Sequence, residues 1–442
     1  MYRVLTISST LLLMSCVASA AGQALSAPTA RVKASPVKGP ADLPDDPTIW
    51  PNKTCFRASE PWLVENHTRI RKMQPRVLVL NFANDVEMSA IKDQTEKFIK
   101  ALAESSRYHG YQDPKAPAFL DYRVVKYVDL RDEKPAPDMA KSSSTLFPVL
   151  PSKPADMWCD YKRLYTEEFA KYYGFEDPST PGRHLDLKEL IQAGIVHELW
   201  FYCIHDHKKG WPAFEVIELK QYYDKDGRPI PGKHGKAGNG GEDDTMPWTG
   251  HSFRIYFFNP HRGVGCQLEN FGHLLEGHAN HDTIAYHTKY FREFAGLDWD
   301  KRHKLPFKSL YEMSYDREKC KVTYPSENKI IMLHEGKEYS VAPFDVFCGS
   351  NHWPPGARYH YDLDSPNTVE CAIENYRLRN GPPGKDKLTE FNIKMTEQYR
   401  AVAPDCMGRW IVYWCQSMPG LDNNCIDDDG RPMKNWWVYL FY

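Results

Sequence analysis

The sequence predicts an α/β protein: a largely parallel sheet flanked by helices in a Rossmann-like three-layer arrangement, with an irregular, disulfide-stapled C-terminal part. Two observations carry the first half of that expectation. Short apolar runs, too continuous for strands with one wet face, alternate with stretches of helical spacing, as buried parallel strands and their crossover helices do. A third carries the second half, because six of the ten cysteines beyond Cys16 fall after residue 304, among many Pro, Gly and Trp that interrupt regular periodicity.

Taken in order, Arg3 and the uncharged apolar run from Val4 to Val17, closed by Ala18-Ser19-Ala20, read as a signal peptide over residues 1–20. Leu12-Leu-Met-Ser-Cys16 is the competing reading, a lipoprotein box acylated on Cys16. Export to an extracellular or periplasmic location is expected either way. No later stretch reaches the roughly 20 apolar residues that a membrane span needs. Residues 21–50, rich in Ala, Pro, Ser and Lys, read as a flexible leader.

The α/β core is expected over residues 51–304. Val77-Leu-Val-Leu-Asn-Phe82 is a buried strand, residues 85–104 have helical spacing, and residues 119–130 are extended again. A helical stretch at 185–193 leads into the strand Glu198-Leu-Trp-Phe-Tyr-Cys203. Residues 224–248, dense in Gly, Pro, Lys and Asp, read as a mobile loop of the kind that often serves as a lid. The strand Phe253-Arg-Ile-Tyr-Phe-Phe258 and helices over 266–280 and 283–294 complete the core. Residues 305–442 form the Cys/Trp/Pro-rich region expected to pack on it.

Formal net charge is −2, so there is no basic surplus for nucleic acid or an anionic membrane. An even ten cysteines in an exported chain argue for disulfides, and the absence of Cys-x-x-Cys argues against a zinc ribbon. Asn52-Lys-Thr and Asn66-His-Thr are glycosylation sequons, relevant only on a eukaryotic secretory route.

Four segments carry chemistry. In Cys266-Gln-Leu-Glu269-Asn-Phe-Gly-His273-Leu-Leu-Glu276-Gly-His278, helical geometry puts Glu269, His273 and Glu276 on one face and Leu268, Phe271 and Leu275 on another. Imidazole and carboxylate at i, i+3 and i+4 can converge on one cation. The inverted zincin motif is excluded, since it needs His directly after the Glu, where Gly277 stands. His205-Asp206-His207 follows a strand, at the end of a parallel sheet where ligands bind, and Glu215 sits beyond it in an apolar context. Cys348-Gly-Ser-Asn-His352-Trp-Pro-Pro stiffens the backbone around His352, with Asp362 downstream.

Ser106-Arg-Tyr-His-Gly-Tyr-Gln-Asp-Pro114, Glu198-Leu-Trp ending at His205, Glu269-Asn with His273 and Glu276, and Cys348-Gly with His352-x-Pro-Pro and Asp362 together resemble a group of secreted bacterial proteins. The resemblance runs from about residue 76 to Trp436-Trp437 and leaves the Gly-rich stretch near 224–245 unmatched. It implies one architecture and no particular activity.

The expected function is that of a secreted metal-dependent hydrolase acting on an extracellular polymer, peptide or glycan, or on a small molecule. The expected ligands of a divalent metal such as zinc are His273, Glu276 and His352, with His205 or Glu269 as substitutes, and Glu215 or Asp362 is the expected general base. The rival readings are a metal-free glycan hydrolase or lyase using two of Glu215, Glu269, Glu276 and Asp362, and a non-catalytic secreted binding protein.

Overall fold

A computed structural model describes residues 39–131, 146–152, 158–203, 215–240, 245–343 and 347–442. The expected signal peptide with Cys16, and the His205-Asp206-His207 segment, lie outside the described residues. Of the expected leader, residues 39–50 are described and pack on the fold, burying Leu43 and Trp50.

The first elements are strand β1 (Ile49–Trp50), helix α1 (Pro61–Glu65) and strand β2 (Lys72–Met73), with β1 and β2 paired in parallel. Then come β3 (Arg76–Asn81), α2 (Met88–Ser105), β4 (Arg123–Asp129), α3 (Glu167–Tyr173), α4 (Leu187–Gln192) and β5 (Glu198–Tyr202). Helix α4 is set locally by a capping box, in which Asp186 accepts from the Glu189 N–H at 2.8 Å and Glu189 from the Asp186 N–H at 2.9 Å. Next are β6 (Val216–Tyr223), β7 (Pro229–Gly238), β8 (Phe253–Phe258), α5 (Val264–Asn280), α6 (Ala285–Ala295) and α7 (Trp299–Arg302). The C-terminal part adds an antiparallel meander, β9 (Lys321–Ser326), β10 (Lys329–His334) and β11 (Lys337–Val341), the pair β12 (Thr368–Cys371) and β13 (Thr389–Asn392), and α8 (Gly408–Gln416).

The main sheet has the order β4-β3-β5-β8-β6-β7. Its first four strands are parallel, and β6 and β7 run antiparallel at the far edge. Strand periodicity makes three layers. Val77, Val79, Trp200, Tyr202, Tyr256 and Phe258 face α2, α5 and α8, whereas Leu78, Leu80, Leu199, Phe201, Ile255 and Phe257 face the side of α3 and α4. A smaller core under β9–β11 is built on Trp299, Ile330, Met332 and Trp353.

Two expectations need correction. Residues 224–248 are not one loop, because 229–238 form the edge strand β7, paired with β6 from Ile217↔Gly238 to Tyr223↔Pro229. An edge strand needs backbone pairing rather than an apolar face, and Pro229, Pro231, Lys233 and Lys236 suit an edge that must not recruit another strand. The disulfide staples are also absent: no two described cysteines stand at bonding distance, and Cys55, Cys266, Cys320, Cys348, Cys371, Cys406, Cys415 and Cys425 are free thiols. Most are buried, behaving as small apolar side chains.

Three histidines far from the polar cluster described below make the fold acid-sensitive. Burial brings His67 and His197 down to about 3 and His109 to about 4. His67 is held by the Tyr442 hydroxyl at 2.6 Å and the Asn435 carbonyl at 2.8 Å. His197 accepts from the Arg76 N–H at 2.9 Å and meets the Phe56 carbonyl at 2.9 Å, with Arg76, Arg254 and His251 as its titratable or charged neighbours. Unfolded, each would protonate near pH 6.5. The unfolded chain therefore binds more protons below that pH, and the stability these residues contribute, complete above about pH 6.5, drains away as the pH falls toward 4 and 3. Calorimetry across that range is expected to show Tm falling steadily, with a shallower fall in His67→Gln; equal slopes would contradict the assignment.

Candidate functional site

Helix α5 begins just past the carboxyl end of β8. Its orphan N-terminal N–H groups are met from outside, with the Asp405 carboxylate accepting from the Gly265 N–H at 2.9 Å. Lower down, the Asn270 amide donates to the Phe257 carbonyl at 2.9 Å, locking the helix to the strand end. Gly277 lets the helix lie against β7, since a Cβ there would come within 2.5 Å of the Gly238 backbone nitrogen. Cys266, Glu269, His273 and Glu276 share one face within about 80°. His278 leaves on the other side and meets Glu218 at 2.5 Å.

The second wall is the loop from Cys348 to Asp362. No covalent anchor holds it at Cys348, whose thiol is free and buried. Two indoles of α8 hold the loop instead: Trp410 donates to the Ser350 carbonyl at 3.0 Å and Trp414 to the Gly349 carbonyl at 2.9 Å. Asn351 ties the loop to α5, its backbone N–H donating to Glu276 Oε1 at 3.0 Å and its amide to the Glu269 carbonyl at 2.9 Å.

His352 and His273 thereby meet, with their Nε2 atoms 3.0 Å apart, and His352 Nε2 lies 3.0 Å from Glu269 Oε1. The far nitrogens are both engaged. His273 Nδ1 lies 3.2 Å from Glu276 Oε2, and His352 Nδ1 lies 3.5 Å from the Tyr315 hydroxyl. With those Nδ1 positions protonated, two imidazole lone pairs and a carboxylate oxygen point at one another, a repulsive arrangement unless a proton or a cation lies between them. Four-coordinate zinc holds N and O ligands at about 2.0–2.2 Å, which spaces neighbouring ligand atoms by roughly 3.3–3.5 Å. The observed spacing is a little tighter and of the right order.

The field at the site is negative. Burial disfavours charge on His273, yet Glu215, Glu276 and Glu269 together raise its pKa to about 9. Burial likewise opposes ionisation of Glu269, but bonds from His352 and Cys406 bring it to about 2. Among the described residues, two groups of Glu, His and Cys side chains could hold a metal ion: Glu269 with His273 and His352, and Glu269 with Cys266 and Cys406.

The two α5 carboxylates have exchanged the roles expected of them. Glu269 stands with the histidines, while Glu276 orients His273 from behind, itself fixed by the Tyr311 hydroxyl at 2.8 Å and the Asn351 N–H. Glu215, at the start of β6 and so at the same end of the sheet as the carboxyl ends of β5 and β8, reaches His273 Nε2 at 3.4 Å. The Asn239 amide donates to it from just beyond β7. Asp362 is elsewhere: its oxygens take the Arg358 N–H at 2.9 Å and the guanidinium at 2.7 and 2.9 Å, which makes it a loop staple. Tyr361, its neighbour, does reach the site, 3.0 Å from His352 Nε2. A cleft of about 300 Å³ lined by His273, Glu276, Lys308, Tyr311 and Glu312 opens beside the cluster.

Sequence reasoning missed Cys266, Cys406, Tyr361, Tyr311 and Asn351 as site residues. Cys266 carried a usable signal, since it precedes Glu269 by three positions on the same helical face. Cys406 carried none.

Gly272 shows how closely the two walls fit. A Cβ there would lie 2.1 Å from Asn351 Oδ1, so Gly272→Ala is expected to push Asn351, and His352 with it, away from α5. Overpacking of this kind costs about 1–3 kcal/mol. The check is a denaturant titration beside a zinc titration; unchanged affinity would show that the walls move independently.

No family model, no curated protein and no solved structure matches the chain.

Proposed function

We propose that this chain is an exported, metal-dependent hydrolase acting on an extracellular polymer, peptide or glycan. The observation that carries the reading is the convergence of His273 Nε2, His352 Nε2 and Glu269 Oε1 in a largely buried, negatively charged setting. Three protein ligands leave a position open, which is the arrangement of catalytic rather than structural zinc. The cation, zinc being the best match to N and O ligands at this spacing, would polarise a scissile carbonyl or phosphoryl oxygen and acidify a water.

The chain's own groups have separate tasks. Glu276 holds the His273 ring through Nδ1, which fixes the tautomer and aims Nε2. Glu215 lies outside the three-ligand group, and its side chain is 20 % exposed, so it borders the site from the solvent side, where a general base must stand. Tyr361 can donate to an oxygen that gains charge at the same point. The small cleft suits one unit of a longer chain, and Tyr315, 60 % exposed, stacked on His360 at 3.7 Å and with its hydroxyl 3.5 Å from His352 Nδ1, would be a platform for the next. Export rests on the N-terminal residues, and no described helix is long and apolar enough to cross a membrane.

Elemental analysis of the purified protein, followed by assays on a peptide and polysaccharide panel with and without chelator, tests this. Bound transition metal and activity lost to chelator and restored by zinc are expected. A metal-free protein whose activity survives chelation would end the proposal.

A further inference from the structure

Cys266 and Cys406 are not spent on a disulfide, and they stand on the other side of Glu269 from the histidines. The sulfurs and a Glu269 oxygen all lie within 4.8 Å of one another. Cys406 Sγ is 2.7 Å from Glu269 Oε2, while Glu269 Oε1 is the oxygen 3.0 Å from His352. Each oxygen of one carboxylate therefore addresses a different set of donors. That is how a bridging carboxylate is placed in a two-metal site, where the ions stand about 3.5–4 Å apart.

The placement is built from both sides. On α5, Cys266, Glu269 and His273 follow at i, i+3 and i+7, so the polar stripe continues one turn toward the helix N-terminus. Cys406 comes from the turn before α8 with φ +46°, a left-handed conformation uncommon outside Gly, Asn and Asp. Its neighbour Asp405 pins that turn to the helix through the Gly265 N–H. Gly265 permits the approach, since a Cβ there would lie 1.8 Å from the Asp405 carbonyl oxygen. A strained residue held between two rigid helices needs a reason, and aiming a sulfur at Glu269 supplies one.

We propose that Cys266, Cys406 and the outer oxygen of Glu269 bind a second, thiophilic divalent cation of the zinc class, so that the centre is binuclear with Glu269 as its bridge. The proposal rests on the metal reading of the histidine site through the shared carboxylate, but its own support lies in the two sulfurs. Thiolates favour zinc and other soft cations over magnesium or calcium. Arg262 stands at the edge, its Nη2 atom 3.6 Å from Cys406 Sγ and 3.8 Å from Glu269 Oε2, with the side chain 50 % exposed. It also bonds with Cys266, so its charge offsets part of that of two thiolates, and a bound cation takes the place of this half-exposed guanidinium beside the sulfurs.

The test uses the full chain, purified under reducing conditions, stripped of metal and titrated with Zn(II) and separately with Co(II). Two equivalents are expected to bind. The cobalt protein should show a thiolate-to-cobalt charge-transfer band, which Cys266→Ser/Cys406→Ser abolishes while still binding one equivalent, and which His352→Gln keeps. Binding of a single equivalent without the sulfur band overturns the second site and leaves the histidine site standing; no binding at all removes both. Should the double variant fail to fold, alkylation of the native chain decides. Zinc should protect Cys266 and Cys406 from iodoacetamide, and unprotected thiols, or the two found joined as a disulfide after reducing purification, would overturn the proposal.

Discussion

His352→Gln is expected to weaken zinc binding at the histidine site by more than about 100-fold, with the unfolding of the metal-free protein changed far less. The first half follows from the ligand count. His352 provides one of three convergent donor atoms, and removal of a group that merely orients a ligand already costs about 10–100-fold in affinity. Glu276→Gln provides that lesser benchmark in the same protein, because it loosens His273 without deleting a donor. The order wild type, Glu276→Gln, His352→Gln in a competition titration against a chromophoric chelator is thus the expected result. The second half follows from size and polarity: glutamine fills much of the ring's volume and can still bond with the Tyr361 hydroxyl, while the backbone N–H that donates to the Tyr311 hydroxyl is untouched. Zinc should raise the Tm of the wild type by mass action and raise that of His352→Gln little. Equal affinity in the variant and the wild type would remove His352 from the centre.

That experiment probes the part of the site that was legible in the sequence. The stripe on α5 could be read because helical periodicity is a local property, and His352 because the prolines after it stiffen the backbone wherever the loop sits. Which of the two α5 carboxylates faces His352 is different. That depends on the height at which the loop crosses the helix, set by Asn351 and by Trp410 and Trp414 more than 50 positions away. Asp362 was misplaced because a carboxylate near His352 in sequence looked available, whereas Arg358, at the i−4 position, takes both its oxygens. His205 lies outside the described residues.

The fold was legible where burial dictates the pattern. Strands β3, β5 and β8 are covered on both faces, so they are continuous apolar runs, and the helices between them carry their own spacing and, in α4, a capping box. Strand β7 was illegible because its side chains do not need to be apolar, its stability coming from hydrogen bonds to β6 that no local pattern announces. The meander β9–β11 does carry alternation, with Ile330 and Met332 buried, but Pro, Gly and Cys around it suggested staples. Cysteine parity misled for a physical reason: a buried thiol packs like a small apolar group, and an even count does not place two sulfurs at bonding distance.

Arg254→Met is expected to cost about 3–5 kcal/mol of folding stability, the range for removing one partner of a buried ion pair. Arg254 on β8 stands directly across from Glu198 on β5 and Glu218 on β6. All three are at most 2 % exposed, as is Lys220 two positions along β6. Arg254 Nε lies 2.9 Å from Glu198 Oε1, and Lys220 Nζ lies 3.4 Å from Glu218 Oε1. Burial disfavours the Glu218 charge, but Lys220, Arg254 and His278 bring its pKa to about 2. Two carboxylates and two cations thus balance in a place that water does not reach. The cations also close the end of the C-terminal 3-10 turn Trp436–Phe441, where the carbonyls of a helix end need donors from outside. Lys220 donates to the Tyr439 and Leu440 carbonyls at 2.9 Å each, and Arg254 donates to Leu440 at 2.7 Å with its guanidinium over the Phe441 ring. Methionine keeps most of the volume of arginine, so the loss measured is electrostatic rather than a cavity. It would leave Glu198 with only the Tyr122 hydroxyl and the Trp200 indole as donors, and would remove one of the two cations that tie the C-terminal turn to the sheet, loosening it on Lys220. The urea midpoint should fall sharply, with Trp436 and Trp437 exposed to quencher below the main transition. A midpoint equal to that of the wild type would mean that the chain folds without this cluster, and that the apolar layer around Trp200 and Phe441 is enough to seat the C-terminus.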